Sequence, residues 1–323
     1  MRAIVIRRPG DPTVFEYEER ERPEAGPDQI LIRIRAFGLN RAEIFTRQGH
    51  SPGVEWPRVI GIECVGEVVD DPSGALPAGT KVAAMMGGMG RQFDGSYAEY
   101  TVVPAGQVLA IDTDLSWERF AALPEMFQTA RGSLKQALRV TSGKSILVRG
   151  GTSSVGLAAI SLAKSYGLFV AATSRNPERE SFLRDQGADL VLIDDGRLAD
   201  RDLSHGAGRH GFDYVLELIG THTLNDSLDC LVDGGTVCMT GILAGSWELN
   251  AWNPMQYIRS GCYLTAYSGT GMEQADLQEI VTAVERGELH VNTDRVFEFE
   301  EIVEAHIYME ANRATGKLVV RVS

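Results

Sequence analysis

Residues 145–175 constrain the fold more than any other stretch of the chain. Ser145–Arg149 is a short apolar run that reads as a buried strand, and Gly150–Gly156 is a turn of small residues. The pattern then predicts a helix over Leu157–Tyr166 and a second strand over Phe169–Thr173. Strand, Gly-rich turn, helix and strand within about thirty residues form a βαβ unit of the kind that cradles a dinucleotide. A pyrophosphate needs backbone N–H donors, close approach and the positive end of a helix, and small residues permit all three. The candidate cofactor-binding set is therefore Gly150, Gly151, Thr152, Ser153, Ser154, Val155 and Gly156. Its spacing is G-x-x-S-x-x-G, with Ser153 where a central glycine often stands. The turn alone fits any tight strand–helix junction in an α/β protein, so the decision passes to the residues after the second strand.

There the chain reads Thr173, Ser174 and Arg175, with Arg179 one helical turn on. An NAD site usually carries Asp or Glu at this place to bind the ribose 2′-hydroxyl, and none occurs before Glu178. A hydroxyl-rich, cationic pocket suits a 2′-phosphate, which a planar guanidinium grips with two hydrogen bonds. Ser174, Arg175 and Arg179 thus favour NADP(H) over NAD(H).

At 323 residues the chain is long enough for two domains. Its formal net charge of −13, with no basic stretch, argues against nucleic acid or an anionic membrane surface as a partner. No run of eighteen apolar residues occurs and Met1–Gly10 lacks a signal-peptide pattern, so a cytoplasmic location is expected. Cys64, Cys230, Cys238 and Cys262 are scattered without a CxxC pair, and the six histidines lack ligand spacing. His205 and His210 read as residues of a Gly-rich loop.

Residues 1–118 are β-rich in pattern, with short runs at Ala3–Ile6, Gln29–Phe37, Glu63–Val69, Lys81–Met85 and Ser96–Val103 separated by Gly and Pro clusters. Trp117–Arg139 is helical in pattern, interrupted by Pro124. Strands and helices then alternate, with strands expected at Leu190–Ile193, Phe212–Glu217, Thr236–Thr240 and Cys262–Tyr267, and helices at Pro177–Gln186 and Thr223–Leu231. The tail changes character again, with helices over Gln274–Arg286 and Glu300–Ala311 and strands at Arg295–Phe299 and Leu318–Val322. The expected class is α/β: a doubly wound parallel sheet inserted into a β-rich unit. The boundaries read as 1–120 and 269–323 for the β-rich domain and 121–268 for the dinucleotide domain.

Nearly end to end, the chain resembles the zinc-independent medium-chain dehydrogenase/reductase superfamily, in its quinone oxidoreductase (zeta-crystallin-like) group. The resemblance is carried by Met1–Ile4, Ile30–Gly49, Gly61–Val68, Asp94–Val102, Leu123–Ala130 and Ala305–Val320, in that order. It implies a GroES-like catalytic domain, a Rossmann domain and reduction of a quinone or an α,β-unsaturated carbonyl by NADPH. It also implies Asn40 on the substrate side, Thr129 near the nicotinamide, Gly241 where backbone approaches the cofactor, and Arg313 on the 2′-phosphate. A homodimer through Rossmann edge strands near Cys262–Tyr267 is implied as well. Zinc-binding relatives carry Cys just after the glycine matched by Gly38 and a His-Glu pair where Ile62 and Glu63 stand. With those soft ligands gone, no catalytic or structural metal is expected, and Glu63 reads as a charge-pairing residue.

Three departures bear on substrate and cofactor. Phe45 and Ser51 stand where relatives place tyrosines, with His50 beside them, and Asp194 stands where some relatives stack a tyrosine on adenine. An enoyl-thioester reductase and a non-enzymatic NADPH-binding protein are the alternatives.

Overall fold

The structure is a computed structural model that describes residues 1–205, 209–269 and 271–323. The chain divides into two compact units: Met1–Gln128 with Gly271–Gly287 and Val291–Ser323, and Thr129–Thr270 with Glu288–His290.

The first unit is built on one long strand, Gln29–Leu39, which pairs with Glu63–Asp70, Tyr100–Pro104 and Lys317–Arg321, all antiparallel. Glu63–Asp70 continues to Lys81–Met85 and then Val108–Ala110, while Lys317–Arg321 pairs in parallel with Thr293–Glu298. The helix Ile302–Glu310 connects that parallel pair. Alternating residues of these strands close over a core holding Ile32, Phe37, Tyr97, Phe297 and Phe299. Strand runs rich in Val and Ile with turn residues between them suit such half-buried ladders. The sequence pattern misses the strands Phe15–Glu19 and Val108–Ala110 and the helix Arg41–Arg47. Each is short, and the strand Phe15–Glu19 is mostly solvent-facing, so each carries little hydrophobic period.

The second unit is a six-stranded sheet in the order Leu190–Ile193, Phe169–Ser174, Ser145–Arg149, Phe212–Glu217, Leu231–Met239, Tyr263–Ala266, with every neighbouring pair parallel. In chain order this is 3-2-1-4-5-6, the doubly wound arrangement whose crevice lies at the carboxyl ends of the strands. The helix after the first strand runs over Ser154–Ser165, three residues earlier than its apolar pattern suggests. Ser153 explains the difference: its Oγ accepts from the Gly156 N–H and caps the helix. The expected helix Pro177–Gln186 is a 3₁₀ turn, Pro177–Arg179, followed by Glu180–Asp185. His205 corrects its reading as a loop residue, because it stacks between Phe169 and Phe212 in a two-residue strand paired with Arg209–His210. The intervening Gly206 and Gly208 lie outside the described residues. Among the described residues no helix is long and apolar enough to cross a membrane.

Candidate functional site

The dinucleotide turn sits where the sheet topology puts a ligand, at the carboxyl end of the first strand. Gly150 N–H donates to Thr173 Oγ1 (3.0 Å) and Gly151 N–H to the Thr173 carbonyl (3.1 Å), so the turn is laced to the second strand. A Cβ on Gly156 would lie 2.4 Å from the Gly150 carbonyl oxygen, so only glycine lets the helix start so close to the strand. Ser153 donates to the Gly150 carbonyl (2.8 Å) while capping Gly156, so its side chain serves the turn itself. Helix geometry leaves the Ser154 and Val155 N–H groups without intrahelical acceptors, so with the neighbouring Thr152 they form a helix start of the kind that can take an anionic group.

At the end of the second strand, Ser174 is buried, and its Oγ accepts from the Asn176 N–H and donates to the Asn176 carbonyl, both at 3.0 Å. Arg175 is exposed and Arg179 half-buried, and no described residue engages either guanidinium. The two guanidiniums are groups of the kind that grip a phosphate, with Glu178 and Glu180 as the acids beside them. Gly241 follows the strand Leu231–Met239, its N–H donating to the Glu217 carbonyl (3.1 Å). Thr129 lies on the helix Pro124–Gly132, its carbonyl accepting from Ser133 Oγ (2.7 Å), and Ser133 Oγ meets Thr240 Oγ1 at 2.8 Å. Arg313 and Arg175 lie in different units. Arg313 belongs to the first unit, where it is exposed and lies 5.0 Å over the Tyr308 ring.

Below the turn is a buried ionic network. Arg149, fully buried, grips Asp194 with two bonds, Nε to Oδ2 (2.8 Å) and Nη2 to Oδ1 (2.9 Å). Its Nη1 meets Asp226 (2.7 Å), the Thr223 carbonyl and Ser227 Oγ. Ser227 in turn donates to Glu217, whose burial raises its carboxyl above the usual range. The sequence places Arg149 at the end of a buried strand but does not mark the carboxylates it pairs with.

The first unit holds a second cluster around Asn40. Lys317, fully buried, donates from Nζ to Asn40 Oδ1 (2.6 Å) and Glu63 Oε1 (2.6 Å), with Glu125 Oε2 at 4.0 Å. Asn40 Nδ2 donates to Glu63 Oε1 (2.9 Å) and to Glu43 Oε1 (3.3 Å). Both amide protons are thus held inside the protein, by Glu43 and Glu63. Glu43 Oε2 accepts from the Asn40 N–H (2.7 Å) and Oε1 from the Ile62 N–H (3.1 Å), while Glu63 Oε2 accepts from the Glu125 N–H (2.9 Å) at the start of the helix Pro124–Gly132. A Cβ at Gly38 would meet Glu63 Oε1 and Lys317 Cε at 2.4 Å, so glycine makes the room. Burial opposes the Lys317 charge, but Glu63 and Glu125 outweigh it and the ammonium titrates above its ordinary value. Glu43 is pushed up to about 7 by burial, against the pull of Lys317.

The chain matches two family models, an alcohol dehydrogenase GroES-like domain over residues 26–113 and a zinc-binding dehydrogenase over residues 186–320. It is similar to a quinone oxidoreductase of Pseudomonas aeruginosa, 28% identical, with 96% of each chain covered. Among solved structures it is similar to a mycobacterial protein complexed with NADPH (TM-score 0.88, 27% identity, all of both chains covered). It is equally similar to a protein described as an NAD-dependent alcohol dehydrogenase (TM-score 0.88, 26% identity, all of both chains covered). The residues here do not fit zinc: no group of three His, Cys, Asp or Glu among the described residues could hold a metal ion. Glu63 is committed to the Lys317 ammonium, and all four cysteines are buried thiols.

Two outcomes are expected from the Asn40 cluster. Lys317→Met strands the Glu63 carboxylate in the core and costs about 3–5 kcal/mol in denaturant unfolding. Lys317→Met combined with Glu63→Gln recovers a large part of that loss. Glu43 holds its proton more tightly folded than unfolded, so its contribution to stability is complete below pH 4.5 and is lost as the pH rises to about 7. Glu43→Gln, which mimics the neutral form, removes that loss. Melting temperatures of the two proteins across this range therefore diverge with rising pH in favour of the variant, and parallel curves would refute the assignment.

Proposed function

We infer the function from family membership: this chain belongs to the medium-chain dehydrogenase/reductase superfamily, in its quinone oxidoreductase group, and is an oxidoreductase of that superfamily. Our reading is that it binds NADP(H) and reduces a quinone or an α,β-unsaturated carbonyl without a metal. The observation that carries the cofactor choice is the pair of unengaged guanidiniums, Arg175 and Arg179, beside Ser174. The similar protein described as NAD-dependent keeps NADH as the competitor. A carboxylate would be needed at this strand end to favour it, and the chain places arginine there.

A bound nicotinamide supplies the hydride. The chain itself binds and orients. The N–H groups of Ser154 and Val155 hold the pyrophosphate, and Arg175, Arg179 and Ser174 hold the 2′-phosphate. Thr129 and Gly241 serve the nicotinamide end in this reading. Asn40, with its amide locked by Lys317 and Glu63, fixes the start of the helix Arg41–Arg47 on the substrate side, and solvent delivers the final proton.

Purified protein is tested with NADPH and NADH against quinones, enones and crotonyl-CoA, following loss of the reduced nicotinamide. Turnover with NADPH and a quinone or enone is expected, and Arg175→Ala with Arg179→Ala should raise the KM for NADPH by about tenfold or more. Turnover confined to the thioester, or none with any acceptor, would contradict the reading.

A further inference from the structure

The second and third strands of the parallel sheet end side by side. Ile193 pairs with Ser174 in the ladder, and the Asp194 N–H donates to the Ser174 carbonyl at 2.9 Å. Asp194 is thus joined to the residue immediately before Arg175. Two carboxylates, Asp194 and Asp195, stand at this place, where a free acid would repel a 2′-phosphate and offer an acceptor to a ribose hydroxyl. Neither is free. Asp195 pairs with Arg201 at 2.7 Å. Asp194, with its side chain only 7% exposed, is held through both oxygens by the fully buried Arg149. The acids at the third strand's end are therefore each matched by an arginine, while no described residue engages the arginines at the second strand's end.

We propose that Arg149 is a positioning residue for cofactor choice: its two-pronged pair with Asp194 keeps a carboxylate charge away from the 2′-phosphate position beside Ser174 and Arg175. The inference rests on the NADP(H) reading above. Arginine is suited to the task because its planar fork satisfies both carboxylate oxygens and still leaves Nη1 for Asp226, the Thr223 carbonyl and Ser227. One cation serves two carboxylates here, so its loss leaves both uncompensated beneath the strand ends.

The test is equilibrium binding of NADPH and NADH, by fluorescence titration of the full chain, with melting temperatures recorded alongside. Wild type sets the reference ratio of the two affinities, and a wild type without NADPH preference overturns the cofactor reading itself. In Arg149→Met the preference for NADPH falls by about tenfold, the scale of one unit charge at such a site. Arg149→Met with Asp194→Asn recovers a large part of it, with Asp226 alone left uncompensated. Asp194→Asn alone raises NADPH affinity several-fold and leaves NADH affinity unchanged, which keeps the test decisive should Arg149→Met fail to fold. A merely structural Arg149 would weaken both dinucleotides equally and leave the Asp194→Asn ratio at the wild-type value, and either result overturns the proposal.

Discussion

The ion pair between Lys317 and Glu63 is the contact on which the first unit depends. An ammonium with no solvent exposure is tolerated only when its three protons find acceptors and its charge finds a counter-charge. Glu63 and Asn40 supply acceptors at 2.6 Å, and Glu125 adds a second negative charge at 4.0 Å. Four separate pieces of chain meet there: the end of the strand Gln29–Leu39, the start of Glu63–Asp70, the start of Lys317–Arg321 and the first turn of Pro124–Gly132. Glu63 takes part twice, holding Lys317 with one oxygen and the helix N–H of Glu125 with the other. Removing one member strands the rest, so the cluster fixes Asn40 more firmly than a surface loop could.

The second unit solves a different electrostatic problem. Carboxylates outnumber cations across the chain, yet the expected ligand is a polyanion. Its strand ends resolve this locally. Arg149 and Arg201 pair with Asp194 and Asp195, while no described residue engages the Arg175 and Arg179 guanidiniums. The helix Ser154–Ser165 adds its positive end, where Ser153 caps one N–H and two others have no intrahelical acceptor.

The sheet and the turn were legible because both write themselves in short-range patterns. Ser145–Arg149, Leu190–Ile193 and Phe212–Glu217 are apolar runs whose limits match the strands residue for residue. The helix Arg41–Arg47 was not legible, since seven residues with two buried charges show no clean amphipathic face. The pairings that govern the sites were hidden for another reason. Lys317 finds Asn40 across 277 residues, and Arg149 finds Asp194 across 45. A lone Lys or Arg on a strand does not show its partner until the fold supplies it. For the same reason the acceptors of the Asn40 amide, Glu43 and Glu63, become visible only in the fold.

A crystal structure of the protein with NADP⁺ tests the central claim most directly. The expected result has the pyrophosphate on the N–H groups of Ser154 and Val155 and the 2′-phosphate on the Arg175 guanidinium, with Arg149 still paired to Asp194. A pyrophosphate seated elsewhere, or a 2′-phosphate without contact to Arg175, Arg179 or Ser174, would contradict the account.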